Sequence, residues 1–125
     1  MKTIIYTSHA PAPIGPYSQA VLVNETLYTS GQIAINPFSG DLVFTDITSE
    51  THQVMNNLKA ILLEAGFDFS QVVKTTIFVK DLNNFSAINE AYSEYFISDA
   101  PARETVEVSR LPKDANVEIS CIAVR

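Results

Sequence analysis

Arg103 and Glu118 are the two charged residues whose settings best suit chemistry on a small anion. Arg103 lies just after Pro101 and before a predicted strand, and its planar guanidinium suits bidentate binding of a carboxylate. Glu118 interrupts an otherwise apolar strand, where a carboxylate held in a site could orient or deprotonate a water molecule. Each could equally be a solvated surface charge, which is the usual setting of Arg and Glu.

Tyr17 and the end of the strand at Ser30-Gly31 complete the set of candidates. The segment 9–18 contains three prolines and a glycine, which exclude a helix or the interior of a sheet. A rigid loop there would hold the Tyr17 hydroxyl in a fixed place, although a packed aromatic ring is the alternative. Gly31 could bring a backbone N–H close to a ligand, or it could simply end the strand.

Familiar catalytic motifs are absent from the sequence. It contains no Gly-x-Gly-x-x-Gly, Walker loop, His-Glu-x-x-His or Gly-x-Ser-x-Gly pattern. His9 and His52 lie far apart with no second cysteine nearby, so we expect no zinc site. Cys121 alternates with apolar residues and is interpreted as a small buried hydrophobe rather than a nucleophile.

Hydrophobic periodicity predicts two helices and six strands in the order β-β-β-α-β-α-β-β. Thr48 is the predicted N-cap of the first helix, Gly66 follows its end, and Pro101 stops the second helix. The predicted helices span 49–65 and 85–97, and the predicted strands span 2–7, 19–23, 27–30, 72–80, 105–108 and 117–124. This order is typical of an α+β fold, with one sheet and both helices on one of its faces.

The same periodicity assigns side chains to faces. Val73, Thr75, Ile77 and Val79 are expected to share one face of their strand. A stripe of Phe85, Tyr92 and Phe96 on the second helix is expected to be core. Apolar residues also point to the sheet face that two helices cannot cover, among them Ile122 and Val124. We therefore expect that second face to pack against other subunits.

Length and charge limit the function classes. A chain of 125 residues suits one domain, residues 1–125. The net charge of −6 and the lack of a basic cluster argue against nucleic-acid binding and against anionic membranes. A single cysteine fits a reducing cytosol, and the N-terminus shows no signal peptide, so we expect a cytoplasmic protein.

Several separated blocks of the sequence resemble the RidA family of reactive intermediate deaminases, also called YjgF-like proteins and formerly L-PSP endoribonucleases. The most specific block is Pro101-Ala-Arg-Glu-Thr-Val-Glu-Val-Ser-Arg-Leu-Pro-Lys-Asp114, followed by Val117-Glu-Ile119. Others are Ala12-Pro-Ile-Gly-Pro-Tyr-Ser-Gln-Ala20, Ser30-Gly-Gln-Ile33, Thr51-His-Gln-Val, Asn57-Leu-Lys-Ala60, Val73-Lys-Thr-Thr-Ile-Phe-Val79 and Asn89-Glu-Ala-Tyr92. The resemblance covers nearly the whole chain.

The resemblance implies a chorismate-mutase-like α+β fold and a homotrimer with ligand clefts between subunits. It implies hydrolysis of 2-iminobutanoate and 2-iminopropanoate to 2-oxo acids and ammonia, without metal or cofactor. Carried over by position, the carboxylate-binding arginine falls on Arg103 and the water-activating glutamate on Glu118. The loop tyrosine falls on Tyr17 and the strand-end glycine on Gly31, with Thr105 as a further substrate contact.

One departure and two alternatives remain open. Active family members often carry Ser-Cys after the arginine, where this chain has Glu104-Thr105. The strand period points the Glu104 side chain away from that of Arg103, although its charge could weaken anion binding. The same cleft would also serve a non-catalytic regulatory protein that binds 2-oxo acids. The third hypothesis is an endoribonuclease, which the acidic net charge disfavours.

Overall fold

Two α-helices pack on one face of a six-stranded sheet in the computed structural model, which describes residues 1–125. The strands are β1 (Lys2–Ile5), β2 (Ala20–Val23), β3 (Thr26–Thr29), β4 (Val72–Val79), β5 (Ala102–Glu107) and β6 (Val117–Val124). The helices are α1 (Ile47–Glu64) and α2 (Phe85–Ser93). The strand order is β1-β2-β3-β6-β4-β5, and only the β4–β5 pair is parallel. The predicted α+β class and element order are confirmed.

Helix α1 begins earlier than predicted. Its N-cap is Asp46, not Thr48, and the Asp46 carboxylate accepts a hydrogen bond from the backbone N–H of Ser49 at 2.7 Å. A carboxylate is the stronger cap because it also complements the positive end of the helix dipole. The predicted end is correct, since Gly66 adopts a left-handed backbone with φ of +81°.

Helix α2 is shorter than predicted and ends at Ser93 rather than near residue 97. The chain turns immediately afterwards, and the rings of Tyr95 and Phe96 pack on Phe69 at centroid distances of 5.3 and 5.4 Å. Tyr95 and Phe96 continue the helical spacing of apolar residues in the sequence. In the structure they lie in the turn after α2, and their rings pack against Phe69 from there. Periodicity alone could not distinguish the two arrangements.

Two strand predictions need correction. Strand β5 begins at Ala102 rather than Thr105, so Arg103 lies within the strand and pairs with Thr75 of β4. The residues Ala-Arg-Glu have modest β-propensity, and the parallel neighbour determines their conformation. In β4, a bulge between Val72 and Lys74 shifts the register, so that Val72 is buried and Val73 is 48% exposed.

The core lies between the sheet and the helices. On β6 the predicted alternation is confirmed, with Val117, Ile119, Cys121 and Ala123 buried. The opposite face of the sheet has no covering element in the chain and exposes large apolar side chains, which include Ile4, Tyr28, Val106 and Val124. An apolar sheet face of this kind is a candidate for contact with another molecule.

Candidate functional site

Tyr17, Gly31 and Glu118 lie together in the structure. They line one cavity of about 330 Å³. Its other walls are mostly apolar and come from the 11–14 loop, the 32–37 segment and the turn at Pro112-Lys113. A largely apolar cleft with a few converging polar groups is the usual form of a small-molecule site.

Gln19 fixes the loop that carries Tyr17. Its buried side chain accepts a hydrogen bond from the backbone N–H of Thr7 at 2.7 Å and donates to the carbonyls of Thr7 at 3.0 Å and Pro11 at 2.9 Å. The prolines stiffen the chain between these anchors. Tyr17 itself is half exposed at 51%, with its ring at the mouth of the cavity rather than in the core.

The carboxylate of Glu118 lies against the backbone of Gly31. Gln32 exchanges two backbone hydrogen bonds with Ile119, at 2.8 and 3.0 Å, and this places Gly31 beside Glu118. A Cβ atom on residue 31 would stand 2.5 Å from Glu118 Oε2. A side chain at residue 31 could be accommodated only if the Glu118 carboxylate moved away. Burial raises the pKa of the Glu118 carboxyl above its ordinary value, which favours proton uptake.

Arg103 lies elsewhere, on the helix-facing side of β5. Its guanidinium donates a hydrogen bond to Asn89 Oδ1 at 2.7 Å and stands over the rings of Phe85 and Tyr92, 5.5 and 5.1 Å from their centroids. The Tyr92 hydroxyl is hydrogen-bonded to Thr75 at 2.7 Å. The prediction that this aromatic stripe is core is confirmed for Tyr92 but wrong for Phe85, which is exposed. Both rings support the guanidinium.

Thr105 lies two residues further along the same strand and therefore on the same face as Arg103. Its hydroxyl oxygen is buried and has no hydrogen-bond partner. A buried hydroxyl without a partner is costly, so it is ready to pair with a ligand. Glu104 points to the opposite face, as the strand period predicted, and its carboxylate pairs with Lys74 Nζ at 3.2 Å.

The sheet separates these two halves of the candidate site. Arg103 is on the helix face of the edge strand β5, whereas Glu118 alternates with buried residues and so is on the opposite face of β6, with β4 between the two strands. The shallow pocket at Arg103 has no lining residue in common with the cavity at Glu118. Within one chain, the two groups therefore cannot contact the same small anion.

No other group of residues forms an obvious reactive centre. No three His, Cys, Asp or Glu side chains come close enough together to hold a metal ion. Cys121 is buried, as predicted, and this burial raises the pKa of its thiol to about 11, which favours the protonated form at neutral pH. Neither helix is long and apolar enough to span a membrane.

The sequence model of the family described as endoribonuclease L-PSP matches residues 7–125. The chain belongs to this family, the RidA/YjgF family. A 2-iminobutanoate/2-iminopropanoate deaminase of Capra hircus is 50% identical over 100% of this chain and 91% of its own length. Two solved structures from E. coli, the YjgF gene product and TdcF with bound serine, superpose with TM-scores of 0.94 and 0.95. They are 46% and 41% identical, and each match covers 98% of both chains.

The site of this RidA/YjgF chain includes residues that the sequence did not single out for function. Asn89 and Gln19 lie within blocks that resemble the family. Their roles depend on tertiary contacts, Asn89 with the Arg103 guanidinium and Gln19 with the backbone of Thr7 and Pro11. Lys113 also lies in such a block, and it lines the cavity from the turn between β5 and β6. A local signal exists only for Lys113, which lies in the turn Leu111-Pro-Lys-Asp114 next to the strand of Glu118.

Proposed function

We propose that this protein hydrolyses small reactive 2-imino acids, 2-iminobutanoate and 2-iminopropanoate, to the 2-oxo acids and ammonia. The observation that carries the proposal is the state of Arg103. Its guanidinium is held by Asn89 and two aromatic rings, yet no carboxylate of the chain lies within 4.0 Å of it. A fixed cation without a counter-ion is suited to a ligand carboxylate. The name of the Capra hircus relative supports the choice of substrate.

We propose that the complete site forms between two copies of the chain in a homotrimer. Arg103 and Thr105 would come from one copy, and Tyr17, Gly31 and Glu118 from the next. The separation of these groups by the sheet supports this arrangement, as does the exposed apolar face with Tyr28, Val106 and Val124. An exposed face of this kind is what a symmetric oligomer would bury.

The proposed reaction needs positioning more than strong chemical groups. Arg103 binds the carboxylate, and the Thr105 hydroxyl, the Gly31 backbone and the Tyr17 hydroxyl orient the imine. Glu118 takes a proton from a water molecule as the water oxygen bonds to the iminium carbon. Glu118 returns this proton to the nitrogen of the resulting carbinolamine. The C–N bond then breaks and ammonia leaves, while the hydroxyl gives its proton to Glu118 and the C=O bond forms. The proposed reaction uses no metal or cofactor.

We also propose that the protein is cytoplasmic, because its single free thiol suits a reducing compartment.

The direct test couples a threonine dehydratase to semicarbazide, which traps the imine, and asks whether the protein competes for it. We expect Arg103→Ala to abolish the competition and Arg103→Lys to be poor, because a point charge cannot replace the guanidinium fork. The matched control is Arg110→Ala, which removes an exposed arginine that lines neither pocket. An Arg103→Ala protein that is folded and retains wild-type rates would contradict the assignment.

A second test addresses the two-copy site. Arg103→Ala and Glu118→Gln subunits are each expected to be inactive alone, but co-expression should produce clefts with one intact Arg103 and one intact Glu118. If equal amounts of the two subunits mix at random, roughly a quarter of all clefts contain both an intact Arg103 and an intact Glu118. Recovery of that fraction of activity would support shared clefts, and no recovery in a mixed oligomer would place both groups in one chain. A mass measurement in solution tests the trimer.

Two other functions have an observation in their favour. The E. coli TdcF structure holds serine, which favours a binding protein as the alternative. If the protein binds 2-oxobutanoate but does not compete for the imine, it is a regulatory 2-oxo acid-binding protein. The family description favours an endoribonuclease, although the net charge of −6 opposes RNA binding. RNA cleavage that is lost in Arg103→Ala, in a nuclease-free preparation, would support that function.

A further inference from the structure

The turn between β5 and β6 holds two consecutive residues in a left-handed backbone. Lys113 has φ of 55° and Asp114 has φ of 57°. Aspartate tolerates this region, but lysine gains nothing locally from it. Non-glycine residues in such regions persist where the surrounding structure enforces them, and they are concentrated at functional sites.

The surroundings of the turn do enforce this conformation. Leu111 and Ala115 on either side are buried, and Asp114 N donates to the Leu111 carbonyl at 3.0 Å. Lys80 Nζ holds the Asp114 carboxylate at 2.6 Å. The backbone of Lys113 is therefore fixed, and its side chain is the part of this turn that remains available.

The fixed backbone places Lys113 at the cavity that contains Tyr17, Gly31 and Glu118. No carboxylate lies within 4.0 Å of its ammonium group, whereas Lys74 and Lys80 are both paired. Lys113 is therefore not paired with Glu118 either. The ammonium group is thus an uncompensated positive charge beside the site.

Such a charge has a use because the protein and its proposed substrate repel each other. The net charge of the chain is −6, and a 2-imino acid carries a carboxylate. We propose that Lys113 guides the substrate anion into the Glu118 cavity as a second cation, in addition to Arg103. It acts as a positioning residue that raises the capture of substrate without taking part in bond making. This inference rests on the proposed function of the site.

The experiment compares Lys113→Gln with Lys59→Gln, an identical charge change on an exposed face of α1 away from the cavity. Glutamine has the same backbone preferences as lysine at a left-handed position, so the fold should be unaffected. Lys113→Asn, which suits that backbone better, serves as a second neutral variant. Imine competition and 2-oxobutanoate binding are measured at low and high salt, with Lys113→Arg as the rescue.

We expect both neutral Lys113 variants to lower kcat/KM about threefold to tenfold at low salt, mainly through KM. The difference should shrink at high salt because screening removes the attraction. Lys113→Arg should restore the wild-type salt dependence, and Lys59→Gln should retain it. An active wild type with unchanged Lys113→Gln kinetics overturns this inference alone. A wild type that neither hydrolyses the imine nor binds 2-oxobutanoate overturns the proposed function as well.

Discussion

Substituting alanine for Gly31 tests whether the position of the Glu118 carboxylate limits the reaction. The added Cβ would lie 2.5 Å from Glu118 Oε2 and 2.7 Å from its Cδ, whereas ordinary contacts begin near 3.4 Å. The carboxylate must therefore retreat by roughly 1 Å, and a misplacement of that size can cost about a hundredfold in rate. We expect Gly31→Ala to lower kcat by about that factor.

Stability should respond differently to the same change. Gly31 does not have a left-handed backbone, so alanine is compatible with its conformation. Glycine-to-alanine changes at compatible positions stabilise a protein by about 0.4–1 kcal/mol through the unfolded chain, which offsets part of the strain from the contact with Glu118. We expect the free energy of unfolding, measured in urea, to change by less than about 1 kcal/mol.

A double-mutant cycle separates displacement of the carboxylate from other effects. In a Glu118→Ala background the added methyl group has nothing to displace, so Gly31→Ala should have almost no further effect on the residual rate. Gly15→Ala is the matched control, because its Cβ would meet only the Tyr17 ring at an ordinary 3.6 Å. If Gly31→Ala slows the reaction equally with and without Glu118, the contact with the carboxylate is not the cause and the reasoning fails.

Three further predictions concern the groups that hold the site in place. Asn89→Ala should lower kcat/KM by about tenfold by releasing the Arg103 guanidinium, whereas exposed Asn56→Ala should not; equal kinetics would show that the rings alone position the arginine. Gln19→Leu should lower the free energy of unfolding in urea by about 2–4 kcal/mol, because it leaves the Thr7 N–H and several carbonyls unpaired. Glu118→Gln removes a carboxyl whose pKa is raised by folding, so wild type loses stability relative to the variant as pH rises from 4 to 7. A pH-independent difference between the two proteins would contradict the raised pKa.

The fold was largely predictable because its elements have strong local patterns. The alternation in β6 and the apolar face of α1 each indicate one structure, and both predictions were confirmed. The errors occur where a neighbouring strand or a turn decides the outcome. The parallel partner β4 makes Arg103 part of a strand, and the bulge after Val72 exposes Val73. A non-local pairing partner leaves no trace in a short window of sequence.

The candidate site was predictable as a list of residues but not as an arrangement. Proline spacing indicated a fixed Tyr17, and the strand period placed Glu104 away from Arg103. The contact between Gly31 and Glu118 depends on the bridge between Gln32 and Ile119, which joins distant parts of the chain. The support of Arg103 by Asn89 depends on how α2 lies against β5. Both contacts are tertiary, so residue types alone could not reveal them.

The separation of Arg103 from Glu118 by the sheet also explains how an acidic chain could recruit an anion. In a single copy, Arg103 lines one pocket and Lys113 lines the Glu118 cavity. Each pocket therefore has only one of the two cations that we propose for binding the substrate carboxylate. Bringing the Arg103 face of one copy against the Glu118 cavity of the next would place two uncompensated cations around one small carboxylate. Burial raises the pKa of Glu118, which makes its carboxyl easier to protonate than an exposed one. Anion binding would then depend on assembly, because the contact that buries the apolar sheet face would also bring the two cations together.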